Sequence, residues 1–400
     1  MRRALSIVAV WGVLVARTPA AQQSVTRAAA VAAALTRGAR VAVGRADSAA
    51  AAALLHGARA YPNPSLTASY SKDLPHNHLG ASLPLDLPWV RSARVGAAAA
   101  ARDAAVYGFG FERASIRFET DTAYTQALAA LARSRLSRRN ALDADSLLAM
   151  ARLRREVGDV SELDVRLAEV NAGQLENIAA DDSLSALAAL LAVQLAMGLS
   201  GDQPAIALAD PLQPPPDSAP DPVSEPLPVA AAAATLRSEE RALAFARRSV
   251  FATPSLELGF DQGDPTTPGG LLPVIGFSLP LPLFNWNGGD VARARAARDR
   301  ALATLDLVRR ETAADVAGAQ RRSANAVARV ARDRGLLRGA ERVAGMALQA
   351  YAEGAIPLAN VLEAQRNARE ALGRYIDDVA AANNAAAALR LLTAPPPPEP

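Results

Sequence analysis

Three short motifs occur twice in this chain, in the same order, and that duplication limits what it can fold into. "YPNPSLTASY" (Tyr61 to Tyr70) returns as "FATPSLELGF" (Phe251 to Phe260). "GASLPLDLP" (Gly80 to Pro88) returns as "GFSLPLPLF" (Gly276 to Phe284). "EVGDVSELDVRLAEVNA" (Glu156 to Ala172) returns as "AEGAIPLANVLEAQRNA" (Ala352 to Ala368), with Gly158 answering Gly354 at the same offset that relates Gly80 to Gly276. One such match would be unremarkable; three in register mark two copies of one structural plan.

Each copy reads as a helix, a pair of strands, a very long helix, a glycine turn and a return helix. In "SLTASY", Leu66, Ala68 and Tyr70 fall on one face and Ser65, Thr67 and Ser69 on the other. In "SLELGFD", Leu256, Leu258 and Phe260 oppose Ser255, Glu257, Gly259 and Asp261. The second strand of each pair alternates too: Leu83, Leu85 and Leu87 in the first copy, Phe277, Leu279, Leu281 and Leu283 in the second. Period-two alternation predicts strands with one apolar and one polar face. "SKDLPHNHLG" and "DQGDPTTPGG" read as the hairpin loops.

After each hairpin an uninterrupted helical pattern runs from about Arg91 to Val157 and from Asp290 to Glu353, with no interior proline. At 1.5 Å per residue each is about 100 Å long, far beyond a typical globular helix. The return helices carry heptad-like apolar spacing: Leu163, Leu167, Val170, Leu184, Leu187 and Leu191, then Leu358, Val361, Leu372, Tyr375 and Val379. Hydrophobic residues make up 50% of the chain but aromatics only 4%, because alanine supplies so much of the apolar count. Alanine lets helices approach closely and favours helix, which suits long packed helices over a compact core.

Upstream of the first copy, Arg2 and Arg3 precede the apolar run "ALSIVAVWGVLVA" and small residues around Ala20 and Ala21, the order of a secretory signal. The expected organisation is a signal peptide over 1–21, a first repeat over 22–209, a Pro-rich connector over 210–228, a second repeat over 229–394 and a Pro-rich tail over 395–400. No later run reads as a membrane helix, since Arg or Asp interrupts each one.

The residues that could carry chemistry are few. With 0 Cys, disulfides, thiolate metal sites and a lipid-anchoring cysteine are excluded. Of the 3 His, His76 and His78 in "HNH" make an incomplete metal shell and read as an external loop. Asp181–Asp182 and Asp377–Asp378 read as solvated helix faces, and "NGGD" at Asn287 to Asp290 lacks the lysine of a phosphate loop. The 43 basic and 40 acidic residues are interspersed and leave a formal charge of +3, which gives no footprint for nucleic acid. No catalytic, cofactor or metal site is expected.

The duplicated plan behind a signal peptide resembles the TolC family of outer-membrane efflux factors. "YPNPSL", "GFSLPLPLFNWNGGDVARARA" and "YAEGAIPLANVLEAQRNARE" carry the resemblance, and Asn-Pro-Ser-Leu with Pro-Leu-Pro-Leu-Phe is most similar to the cobalt-zinc-cadmium resistance type. The resemblance implies a mainly α protein with a membrane β-barrel portion: a homotrimer whose strands form one twelve-stranded barrel continuing into a helical periplasmic tunnel. It implies a periplasmic adaptor and an inner-membrane pump, of the resistance-nodulation-division type, as partners, besides outer-membrane lipid.

On that resemblance, Leu66, Tyr70, Leu256, Leu258, Phe260, Phe277 and Leu279 face lipid. Gly158, Asp159, Gly354 and Ala355 form the tips that meet the adaptor. Tyr351, Asn360 and Glu363 stand at the periplasmic aperture, while Ile356 replaces the arginine of the best-known member. Heavy-metal cations are the implied cargo; drug efflux and type I protein secretion are alternatives within the family. A structural periplasmic coiled-coil adaptor is the alternative from a different class.

Overall fold

The computed structural model describes residues 23–216, 225–250, 253–263 and 270–396. The expected signal peptide, connector residues 217–224, Phe251, most of the second hairpin loop and the last tail residues lie outside them. The first repeat supplies β1 (Gln23–Val25), α1 (Arg27–Arg37), α2 (Ala39–Arg59), β2 (Ser65–Tyr70), β3 (Asn77–Pro84), α3 (Pro88–Glu156), α4 (Glu162–Ala196) and β4 (Ile206–Leu208). The second supplies α5 (Leu227–Arg248), β5 (Ser255–Gln262), β6 (Leu271–Ser278), α6 (Gly288–Ala352) and α7 (Leu358–Leu392).

The helices α3, of 69 residues, and α6, of 65, run without a break, as the absence of interior proline predicts. Gly96, Gly108 and Gly110 sit inside α3 without interrupting it. Each long helix packs along its return helix, α3 on α4 and α6 on α7, and the two hairpins join through α3–α7 and through α5, which lies against both α3 and α6. Charged pairs brace this seam: Asp377 on α7 pairs with Arg133 on α3, Asp378 with Arg329 on α6 at 2.8 Å, and Arg390 with the buried Asp121 at 3.1 Å. Asp377 and Asp378 therefore tie α7 to two different neighbours and are not the merely solvated face that the sequence suggests.

All four strands of the two hairpins form one antiparallel sheet in the order β2-β3-β5-β6. The second strands of the pairs begin earlier and end sooner than the alternation predicts. Strand β3 takes in Asn77 and His78, read from the sequence as loop, and stops at Pro84; β6 starts at Leu271 and stops at Ser278. Proline has no N–H to give a ladder, so Pro84, Pro280 and Pro282 close the strands where the leucine pattern would continue them. Leu85, Leu87, Leu279, Leu281 and Leu283 thus lie beyond the sheet.

Three further features were not visible in the sequence. The expected first helix starts only at Arg27, where the Thr26 hydroxyl accepts from the Ala29 N–H at 3.2 Å, and breaks at Gly38. Just before it, β1 pairs in parallel with β4, Gln23 against Ile206 and Val25 against Leu208. The fully buried Tyr124 of α3 closes this pair onto the bundle: its hydroxyl donates to the Val25 carbonyl at 2.9 Å and accepts from the Asp210 N–H at 3.4 Å. Finally, α4 is the one helix among the described residues long and apolar enough, by length and composition, to cross a membrane, where no such helix was expected. Its Ala–Leu surface is split between a strip against α3 (Ala168, Ala172, Leu175) and an outward stripe that includes Leu163, Val170, Leu184 and Leu195.

Tyr124→Phe removes the hydroxyl but leaves the Val25 carbonyl its second donor, the Ala209 N–H at 2.9 Å. The expected cost is therefore about 1 kcal/mol, the range of an ordinary hydrogen bond. A lowered melting temperature in detergent with unchanged helix content is the result that checks it.

Candidate functional site

The two glycine turns are built alike and meet at one end of the molecule. After α3, the Asp159 N–H donates to the Arg154 carbonyl at 2.9 Å and the Gly158 N–H to the Arg155 carbonyl at 3.0 Å. After α6, the Ala355 N–H donates to the Ala350 carbonyl at 2.8 Å and the Gly354 N–H to the Tyr351 carbonyl at 2.9 Å. These are paired Schellman closures, and both need a residue at positive φ: Gly158 at 81° and Gly354 at 76°. Beyond the first turn, Ser161 and Asp164 form a reciprocal capping box that starts α4. All four expected tip residues, Gly158, Asp159, Gly354 and Ala355, are exposed here.

Arg154 joins the two turns. Its guanidinium holds the Asp159 carboxylate through Nε at 2.8 Å and Nη2 at 2.6 Å, and donates from Nη1 to the Tyr351 carbonyl at 2.6 Å. It also lies 4.7 Å from the centroid of the Tyr351 ring. The bond to Asp159 raises the Arg154 pKa above its ordinary value, so the charge is permanent. Arg154 was not singled out in the sequence. Ile356 of the second repeat stands where the family's arginine is expected, whereas the cation that touches Tyr351 comes from the first repeat. A cleft of roughly 630 Å³ opens between the turns, with Arg154, Asp159, Asp164, Tyr351 and Ile356 in its wall.

The aperture residues expected from the family do not form one cluster in the chain. Tyr351 is only 2% exposed, packed among Leu147, Ala151, Ala168, Leu358 and Val361 from both repeats. Burial pushes its phenol above the ordinary tyrosine range, with the Arg154 charge pulling the other way. Asn360 and Glu363 are exposed on α7. The Glu363 carboxylate accepts from Arg366 Nη2 at 2.9 Å and from Asn367 Nδ2 at 3.4 Å.

At the far end of the long helices the sheet register sorts its side chains. One row holds Ala68, Leu79, Phe260 and Pro273, the next Leu66, Ala81, Leu258 and Ile275, and the third Leu83, Leu256 and Phe277, all on the same face. Tyr70 shares that face in a fourth row with Asn77, Gln262 and Leu271. Six of the seven residues expected to face lipid therefore share one face; Leu279 follows the end of β6. The opposite face carries Ser65, Thr67, Ser69, Ser82, Glu257 and Asp261, with Leu272 and Val274 of β6 beside them. His78 lies there, its Nδ1 at 2.8 Å from an Asp261 carboxylate oxygen, so it belongs to a strand and not to the loop expected from the sequence. Among the described residues no cluster of three or more His, Cys, Asp or Glu could hold a metal ion.

Residues 272–394 match the family model described as outer membrane efflux protein. The chain is 26% identical over 332 residues to the cobalt-zinc-cadmium resistance protein CzcC of Cupriavidus metallidurans, covering 80% of this chain and 78% of that protein. Its fold is that of a membrane protein from Pseudomonas aeruginosa, with a TM-score of 0.79 at 20% identity over 92% of this chain and 93% of that one. It is likewise that of the Campylobacter jejuni CmeC outer membrane channel, with a TM-score of 0.77 at 16% identity over 98% and 94% of the two chains.

Arg154→Ala removes three directed bonds and the cation over the ring at once. Faster amide exchange is expected at 157–161 and 353–357, measured by hydrogen–deuterium exchange, with the β-sheet unaffected. Arg154→Lys should fail to restore protection, because a lysine ammonium cannot reproduce the planar fork of donors.

Proposed function

We propose that this chain, a TolC-like outer-membrane efflux factor of the cobalt-zinc-cadmium type, is the passive exit duct of a tripartite efflux system. The observation that carries the reading is a four-stranded sheet with one apolar face and one that is polar except at Leu272 and Val274, set at the end of helical hairpins about 100 Å long. An apolar outer face and a polar inner face are what a membrane barrel around water requires. Both edge strands, β2 and β6, lack a second partner among the described residues, and an open edge cannot persist in hydrocarbon. Copies of the chain must supply the missing neighbours. Three copies would make the twelve-stranded barrel of the family, and the helices would continue as the tunnel beneath it.

The outward leucine stripe of α4 supports the same assembly, since it has no cover among the described residues. The paired turns at the other end are the natural dock for a periplasmic adaptor, which links the duct to an inner-membrane pump. Heavy-metal cations are the cargo this reading favours, because a relative 26% identical to this chain is a cobalt-zinc-cadmium resistance protein. The duct transports and does not transform. Its described residues bring together polar walls and helix seams, and the chemistry of energy coupling would lie in the pump.

Reconstituted into planar bilayers, the purified protein should form water-filled pores, and native mass spectrometry in detergent should find a trimer. A monomer that keeps its strand signal would overturn the barrel assembly. At the tip, three copies of Glu363 would face one axis, and like charges brought together there favour cations. Glu363→Gln is expected to lower the cation-to-anion permeability ratio, read from reversal potentials in asymmetric salt, with the trimer intact. An unchanged ratio would leave Glu363 as the partner of Arg366 only.

A further inference from the structure

The apolar face of the sheet is too short for a membrane. Its three wholly apolar rows occupy five residues of strand, from Leu79 to Leu83 in β3. At about 3.3 Å per residue and a tilt near 40°, they cover roughly 13 Å of depth, against an apolar band about 25 Å tall. Outward, the next row mixes Tyr70 and Leu271 with Asn77 and Gln262, and the first hairpin then gives way to Ser71, Lys72 and Asp73, so the wholly apolar band does not extend on that side. It must grow toward the helices.

The two repeats treat that region differently. In the first, the chain after β3 folds back on the protein: the Leu85 N–H donates to the Pro254 carbonyl at 2.7 Å, and Asp86, nearly buried, is held by Arg94 at 2.6 Å and Arg91 at 3.4 Å. In the second, residues 279–286, "LPLPLFNW", carry no charge and project from the surface. Leu281, Leu283 and Trp286 are exposed, and Phe284 is 99% exposed, with no neighbour among the described residues to cover it. Trp89 is exposed in the first repeat soon after β3.

We infer that residues 279–286 lie in the inner leaflet of the outer membrane and complete the apolar belt that the strands leave unfinished. Three observations select lipid as the occupant. The segment is continuous with the lipid-side face, since Leu279 follows Ile275 and Phe277 at the same two-residue step. It supplies apolar surface on the side where the belt falls short. It ends in an aromatic and a tryptophan, the side chains that settle at the headgroup level. Its prolines remove N–H groups that would otherwise need partners in an unpaired segment. Three copies would place a ring of Phe284 and Trp286 around the base of the barrel. The inference rests on the outer-membrane reading above.

The chain has 0 Cys, so single labelling sites are clean. Ile275→Cys and Phe284→Cys, each carrying a nitroxide, are reconstituted as full-length protein in phospholipid vesicles. Collision with oxygen and with a water-soluble nickel chelate is then measured by power saturation. The Ile275 label should collide more with oxygen than with the chelate, and the Phe284 label should give a ratio between that and the ratio of a water-exposed site, as the headgroup boundary requires. If the Phe284 label instead meets mainly the chelate, or is shielded from both, while Ile275 sits in lipid, the belt inference falls and the channel reading stands. If Ile275 itself is not in lipid, the barrel reading falls and takes the belt with it.

A second measurement leaves the segment's side chains untouched. With Trp11→Phe and Trp89→Phe, Trp286 is the remaining tryptophan of the 3 in the chain. Lipids brominated high on the acyl chain should quench it more than lipids brominated near the chain end. Emission indifferent to both would overturn the proposal.

Discussion

An antiparallel sheet that stops at four strands leaves two rows of backbone donors and acceptors without partners. In water this invites association; in hydrocarbon each unpaired group costs several kcal/mol, so the edges must be closed. The sheet β2-β3-β5-β6 stands under that constraint, and much of the chain can be understood from it. Each repeat brings one hairpin, and the pairing of β3 with β5 fuses the two hairpins into one sheet. The long helices follow from the same demand. A barrel assembled from several chains needs the chains held in register, and α3–α4 and α6–α7 supply lateral surface along nearly their whole length.

At the opposite end, the duplication gives two identical backbone turns that the side chains make unequal. Gly158 and Gly354 perform the same reversal. At the offset relating these glycines, Arg154 faces Ala350, Asp159 faces Ala355 and Tyr351 faces Arg155. The first turn therefore supplies the cation and its anchoring carboxylate, and the second supplies the carbonyl and the ring. One guanidinium with five donors in a fixed plane can meet Asp159 and Tyr351 together. Neither repeat could make this link with a copy of itself.

Much of this architecture was legible in the sequence because it is periodic. Period-two alternation gave the two faces of β2 and β5 correctly, and the proline-free runs gave α3 and α6 within a few residues. Alternation misled where proline intervened. Leucines 279, 281 and 283 keep the strand rhythm, but the backbone between them cannot donate, so β6 ends at Ser278. The prolines and polar residues around His78 read as a loop, whereas its place in β3 opposite Asp261 depends on a contact spanning the two repeats. The β1–β4 pair and the Arg154 clasp share that difficulty. Each depends on residues far apart in the chain, Val25 with Leu208 and Arg154 with Tyr351, and no local pattern announces such a meeting.

The divergence of the two return helices indicates what each one faces. At corresponding positions α4 has Leu163, Leu167 and Val170 where α7 has Ala359, Glu363 and Arg366. Both sets lie on exposed faces of the single chain, yet one is apolar and the other is an alanine beside an ion pair at 2.9 Å. If both helices met the same surroundings, the hydrophobic effect would leave the same kind of residue on each. An uncovered leucine stripe is tolerable only where another surface excludes water from it, whereas Glu363 and Arg366 keep a favourable hydration by staying wet. The repeats therefore share a backbone plan but not an environment: in the proposed assembly α4 would meet another copy in a dry contact, and the corresponding strip of α7 would face water. A closed ring of such chains gives each helix pair one face of each kind, and that is how a duplicated, alanine-rich chain can wall a tunnel.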